Sequence, residues 1–334
     1  MTSRELVKNT LEQKPIDRIP FDNIHKACVH LPSDVAYVTD YHYGKGYESG
    51  VSGKKGIRYD RWGCAWESGE DGVAGEIKNP MLKTLEAMEN YTPPWRILEQ
   101  ANLKSVDTFC ENTDKFVVAA WDDVSAQPFQ RMQYLCGTEA LFMNMALEEP
   151  AFFTLKERVH NYYVKQARMW CETKIDAIHI EDDWGTQNST LISPEHWRRF
   201  FKPLYRDYAA IAHAAGKKII MHSDGMTMPF IEDLIEIGID ALNLQLFCMD
   251  MEEMERRFGG RVTFWGELDR QFLLPFGTDA EIKNGVRQVQ NAFLKNRKTG
   301  VVAMSFDGKD ISDHALSVAY GEWNKVSNEM FETI

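Results

Sequence analysis

Residues 176–225 read DAIHIEDDWGTQNSTLISPEHWRRFFKPLYRDYAAIAHAAGKKIIMHSDG. A short β-rich run, DAIHIED (176–182), leads through a polar loop to a helical stretch over 194–215. Ser193 supplies a cap for that helix and Pro194 a first helical residue that needs no N–H partner. The chain then re-enters a strand, KKIIMHSD (217–224). Strand, crossover helix and strand make the repeating unit of a parallel sheet.

The same alternation extends in both directions. FVVAAW (116–121), ALNLQ (241–245), VTFWGELD (262–269) and VVAMSFD (301–307) read as further strands, and 149–174 and 279–295 as further crossover helices. RIPFD (18–22) supplies an earlier strand, and the region around 58–67 is taken as the eighth. Eight such strands predict an α/β protein with a (β/α)8 barrel and an N-terminal extension, and the 334 residues suit one barrel domain over 1–334. Residues 40–80, rich in Gly, Tyr, Asp and Trp and without a clean period, are expected to form an irregular lid over one barrel mouth.

Composition excludes several functions. A net charge of −12 repels polyanions, so nucleic acid is not expected as a partner. No segment approaches the roughly 18 apolar residues that span a bilayer, and the opening residues lack a basic start followed by an apolar stretch, so a cytoplasmic location is expected. The six cysteines are scattered without a C-x-x-C pair, which argues against a disulfide framework. His25, Cys28 and His30 lie close together but lack a complete ligand set, and read as a plain loop.

Barrel enzymes build their sites at strand C-termini, and acids crowd there in this sequence. In MHSDG (221–225), the two-residue period puts His222 and Asp224 on one face, where imidazole and carboxylate could clasp a divalent ion; a hydrogen-bonded His–Asp pair is the competing reading. In HIEDDWG (179–185), Ile178 and Ile180 can face the helices while His179, Glu181 and Asp183 face inward. Three adjacent acids, Glu181, Asp182 and Asp183, are costly to bury without a cation, a donor or proton-transfer work, so they are catalytic candidates. In WGELD (265–269), Glu267 could complete the metal site or form a salt bridge with Arg270. Asp123 could orient a substrate, and Trp62, Trp66 and Trp184 could pack against one.

Taken in order, these motifs resemble the uroporphyrinogen decarboxylase superfamily. RELVKNTLEQKPIDRIPFD (4–22) is similar to its opening helix and first strand, DRWGCAWESGEDGVAGEIKNP (60–80) to its Trp-Gly segment, and residues 181–225, 235–245 and 264–278 to its central and late barrel units. The loop NIHKACVHLPSDV (23–35) lacks the arginines with which true decarboxylases hold the tetrapyrrole carboxylates. The resemblance therefore points to the superfamily's zinc-dependent methyltransferases, which exchange methyl groups with a corrinoid protein. In their thiol-activating members a His-x-Cys pair stands where this chain has His222-Ser223-Asp224, and a further Cys lies near the last strand; here no cysteine follows Cys248. An oxygen-rich metal site of His222, Asp224 and either Glu267 or Glu181 suits an ether or alcohol oxygen instead. The resemblance thus implies a metal-dependent methyltransferase, the O-demethylase component that moves a methyl group from a methoxylated small molecule to cobalamin on a partner protein. A metal-free decarboxylase and a non-catalytic ligand-binding barrel are the alternatives, and a homodimer stays open.

Overall fold

The computed structural model describes residues 1–23, 31, 33–38, 55–71, 75–120, 127–305 and 308–331. Ten strands lie among them: β1 (Phe21–Asp22), β2 (Val35–Val38), β3 (Gly56–Tyr59), β4 (Ala65–Ser68), β5 (Phe116–Ala119), β6 (Ala177–Glu181), β7 (Lys218–Ser223), β8 (Ala241–Leu244), β9 (Thr263–Gly266) and β10 (Val301–Met304). Eight form one parallel sheet in the order β1-β10-β9-β8-β7-β6-β5-β2, wrapped by helices into a near-closed α/β barrel. The fold class is the one expected from the alternation of strands and helices.

The eighth barrel strand is not where the sequence pattern put it. Residues 58–67 fall in the antiparallel β3–β4 hairpin, a separate two-stranded sheet. The barrel strand is instead β2, which pairs with β5 from Val35↔Phe116 to Val38↔Ala119. The seam between β1 and β2 is held by Asp34: its backbone N–H donates to the Phe21 carbonyl at 2.7 Å, and its Oδ2 accepts from the Phe21 N–H at 2.8 Å. Arg18 donates to both oxygens of the same carboxylate.

Strand residues that alternate in and out divide the core in two. Val118, Ala177, Ile220, Ala241, Trp265 and Val302 pack inside the barrel with Val7 and Leu11. Those last two come from the helix Ser3–Leu11, which carries a complete capping box built on Thr2 and Glu5. Thr263 Oγ1 donates to the Thr10 carbonyl at 2.9 Å, tying that helix to the N-terminal end of β9. The bottom of the barrel is thereby plugged, and the cavity is left to the C-terminal mouth. Ile178, Ile180, Ile219, Met221, Leu242 and Phe264 face outward onto the helical layer.

The helix over 194–215 is two helices, Pro194–Phe200 and Lys202–Ala214. Pro203 explains the break, since it has no N–H to give the Arg199 carbonyl. Ser193 caps the first of the pair, accepting from the His196 N–H at 3.2 Å. Among the described residues, no helix is long and apolar enough to cross a membrane.

Candidate metal centre and active-site cavity

Strand register brings the polar residues to one level. Glu181 of β6 is opposite His222 of β7, and His222 is opposite Asn243 of β8. Where β6 and β7 end, two glycines let their loops touch. An ideal Cβ on Gly185 would lie 2.5 Å from Met226 N, and one on Gly225 would lie 2.4 Å from the Gly185 carbonyl carbon. Gly225 also has a φ of +77°, and the Gly185 N–H donates to the Asp224 carbonyl at 3.1 Å. No larger residue fits either position without moving backbone. This contact draws together the acids that precede each glycine.

The result is a cluster of Asp183, His222 and Asp224 whose candidate ligand atoms all lie within 4.8 Å of one another. His222 Nε2 is 3.2 Å from Asp224 Oδ1 and 3.7 Å from Asp183 Oδ1. The other ring nitrogen is committed. Nδ1 lies 2.6 Å from Asn243 Oδ1, and Asn243 Nδ2 donates to the Trp265 carbonyl at 2.7 Å, so the amide oxygen must face the imidazole. Nδ1 therefore carries the proton in the neutral ring and Nε2 presents its lone pair to the two aspartates, as a metal-ligating histidine requires.

The aspartates are oriented as well. Asp183 Oδ2 accepts from Gln130 Nε2 at 2.7 Å, and its Oδ1 from the Asp224 N–H at 2.9 Å. Asp224 Oδ2 is paired with Arg270, while its buried Oδ1 lies 3.2 Å from His222 Nε2. A buried carboxylate oxygen held beside an imidazole nitrogen that a metal could share fits a site for a divalent cation. One imidazole and two carboxylates suit zinc or a similar borderline ion.

The electrostatics agree with this. Burial by itself pushes the His222 imidazole down, but Asp224, Glu267 and Glu181 more than offset it and hold its pKa well above the usual range. Asp183 is raised by burial and by the Asp224 charge, against the pull of His222. Asp224 is lowered, because His222 and Arg270 outweigh its burial. Without a metal, a proton on His222 takes the cation's place between two carboxylates.

His222 also lines a cavity of about 340 Å³, together with Tyr37, Ala120, His179, Glu181, Ile220, Asn243, Trp265, Glu267, Arg270 and Met304. The sequence reading put Glu267 among the metal ligands. In the structure it lies at the other edge of the ring, with Oε1 4.0 Å from Nδ1, and Asp183 takes the place beside Nε2. Glu267 is only 2% exposed, its Oε2 has no hydrogen-bond partner, and burial raises its pKa against the pull of His222 and Arg270. Glu181 lines the cavity, with its Oε1 3.2 Å from His179 Nδ1.

Asp182 points the other way. Its oxygens accept from the Phe129 and Gln130 N–H groups at 2.9 and 2.7 Å and from Tyr205 Oη at 2.5 Å. It is fully buried, and burial raises its pKa strongly despite those donors. Both oxygens anchor the start of the helix Phe129–Cys136, so the structure places Asp182 outside the cavity. Trp184 stacks on Phe129 at 4.1 Å and donates to Tyr205 Oη at 2.9 Å. Trp62 and Trp66 wall a buried Asp60–Arg131 ion pair of 2.8 Å: Trp66 Nε1 donates to Asp60, and Arg131 lies over the Trp62 ring. None of the three tryptophans lines the cavity. Asp123, and the His25, Cys28 and His30 group, lie outside the described residues.

Sequence reasoning passed over Asn243, Gln130 and Tyr37. A lone amide inside the apolar run ALNL was the available signal for Asn243, since an unpaired amide is costly on a buried strand. Nothing local marks Gln130, which reaches Asp183 only through the fold.

With this geometry in hand, the chain can be set beside known proteins. The sequence profile described as Uroporphyrinogen decarboxylase (URO-D) matches residues 60–306, well over half of the chain. The chain belongs to the uroporphyrinogen decarboxylase family. No curated protein matches at the level of significance required. Among solved structures, a methyltransferase from Methanosarcina mazei is similar over 98% of this chain and 99% of its own, with a TM-score of 0.73 and 12% identity. A B12-independent methionine synthase from a Shewanella species is similar over 84% of this chain and 76% of its own, with a TM-score of 0.44 and 11% identity. At such identities the first likeness establishes a shared barrel fold, and the second carries no further weight.

Proposed function

We propose that this member of the family is a metal-dependent methyltransferase, which moves a methyl group from a methylated small molecule of the O-methyl, methoxylated class to a corrinoid carried by a partner protein. One observation carries the reading: His222, which lines the cavity, is fixed by Asn243 so that Nε2 faces Asp183 and Asp224. Those three residues would hold the metal, with zinc the ion that suits them best. A bound zinc ion supplies Lewis-acid polarisation of the donor oxygen, which eases departure of the alkoxide or phenoxide.

The chain's own residues do the rest. Asn243 keeps His222 in the ligating tautomer, and Gln130 and Arg270 each hold one carboxylate by the oxygen turned away from Nε2. Tyr37 and Trp265 form rigid walls, since both donate to Asp22 Oδ2, at 2.7 and 2.8 Å. The cavity is at the small end of ligand sites, which run from about 300 to 1,000 Å³, and suits a small donor far better than a porphyrinogen.

The test is metal analysis followed by turnover. The chelator-washed protein reloaded with zinc should retain about one ion per chain, and His222→Ala and Asp183→Asn should each lose it. The loaded protein should then methylate a reduced cobalt(I) corrinoid from a methoxylated donor. Absence of bound metal, or of methyl transfer from every methoxylated aromatic and simple methylated donor tried, would overturn the proposal.

A further inference from the structure

Metal ligation leaves Glu267 without a role. This carboxylate is almost wholly buried, lines the cavity, and has an Oε2 with no hydrogen-bond partner. Its closest ion-pair neighbour is His222 Nδ1 at 4.0 Å, and that nitrogen is already given to Asn243. An ionisable group buried with one oxygen idle is tolerated where something else supplies the missing partner.

The remaining lining says what kind of partner that is. Glu181 adds a second carboxylate to the same cavity. Arg270, the cationic side chain in the wall, is engaged with Asp224. Glu181 Oε1 lies 3.2 Å from His179 Nδ1 in the same wall. The aromatic residues Tyr37 and Trp265, anchored on Asp22, complete the lining, and an aromatic wall beside carboxylates favours an alkylated cation. We infer that the methyl donor is a small cation, with an ammonium-type group seated between Glu267 and Glu181 against Tyr37 and Trp265. This rests on the reading that the cavity holds the methyl donor, and it narrows the substrate class to compounds with a positive charge. A methoxylated compound with neither a positive charge nor a hydrogen-bond donor would leave Glu267 Oε2 buried and unanswered.

The experiment compares two probes of the same shape by calorimetric titration of the zinc-loaded protein, with no corrinoid present: choline and its uncharged carbon isostere, dimethylbutanol. Choline should bind at least about tenfold tighter than the isostere. That preference should vanish in Glu267→Gln and shrink in Glu181→Gln, with thermal melts and zinc content recorded for each variant. Should Glu267→Gln fail to fold, Glu181→Gln alone decides: it must still reduce the preference. Equal or tighter binding of the isostere, binding of neither probe, or a preference unchanged in the folded variants would overturn the inference. Failure here is separable from failure of the methyltransferase reading. A protein that transfers methyl groups but ignores charge loses only the cation, and one that selects cations but never methylates cobalt loses only the reaction.

Discussion

At the residue scale, two buried polar side chains that flank the site have separable duties. Asn243 touches His222 and sets which ring nitrogen is free. Asn243→Leu should therefore weaken zinc binding by about 10–100-fold, the usual cost of removing a hydrogen-bond partner from a metal-ligating histidine, with little loss of helical signal. Competitive chelator titration measures it, and unchanged affinity would deny Asn243 that role. Asp182→Ala should behave in the opposite manner. It strands the Phe129 and Gln130 N–H groups and Tyr205 Oη in the interior, at about 1–3 kcal/mol per orphaned group, so denaturant melts should show a marked loss of stability. Zinc uptake by the folded fraction should persist, weakened only as far as Gln130 slackens its hold on Asp183. Asp182 and Asp183 are adjacent in sequence, and the two-residue period of the β6 run put Asp183 on the inward face with His179 and Glu181, where the structure has it, and so left Asp182 on the other. His222 was legible because it lies within a recognisable strand, and Asp224 because it stands one residue past that strand's end, on the same face.

At the scale of elements, the site is made by the meeting of two loops. The β6 and β7 loops close on each other through Gly185 and Gly225, and a single methyl at Gly185 would sit 2.5 Å from Met226 N and 2.7 Å from the Asp224 carbonyl. Gly185→Ala should push the loops apart, separate Asp183 from Asp224 and lower zinc affinity, while the barrel, whose strands pair elsewhere, keeps its far-UV circular dichroism. Full zinc affinity in that variant would mean that the loops do not depend on this contact. The barrel itself could be read from the sequence because its central strands are β-branched runs bounded by long helices. The eighth strand could not. Val35–Val38 has only four residues, and its join to Phe21 depends on the Asp34 side chain. By contrast, the β3–β4 hairpin has a Trp-rich pattern that looks strand-like, yet it serves to cover the Asp60–Arg131 pair.

At the scale of the whole molecule, a metal site couples chemistry to stability. A ligand bound only by the folded state adds RT ln(1 + [L]/Kd), about 2.7 kcal/mol at a hundredfold excess over Kd, so zinc should raise the melting temperature by several degrees. The size of that rise depends on pH in a direction that the site dictates. In the metal-free protein His222 is held well above its ordinary pKa by Asp224, Glu267 and Glu181. The stability this gives is fully present below the unfolded imidazole pKa of about 6.5 and is lost as pH climbs through the raised folded value. Asp183, also raised, acts in the same sense, disfavouring the metal-free fold once its proton is gone. The zinc-bound protein needs His222 and both aspartates deprotonated, so metal binding releases protons and tightens with rising pH. The metal-free fold therefore weakens over the same range in which the zinc-bound form gains, and the melting-temperature difference between them should widen from about pH 6 to about pH 8. Differential scanning calorimetry of chelated and zinc-loaded samples across that range measures it. A gap that is absent, or that narrows as pH rises, would show that the ion is not held between His222 Nε2 and the two aspartates.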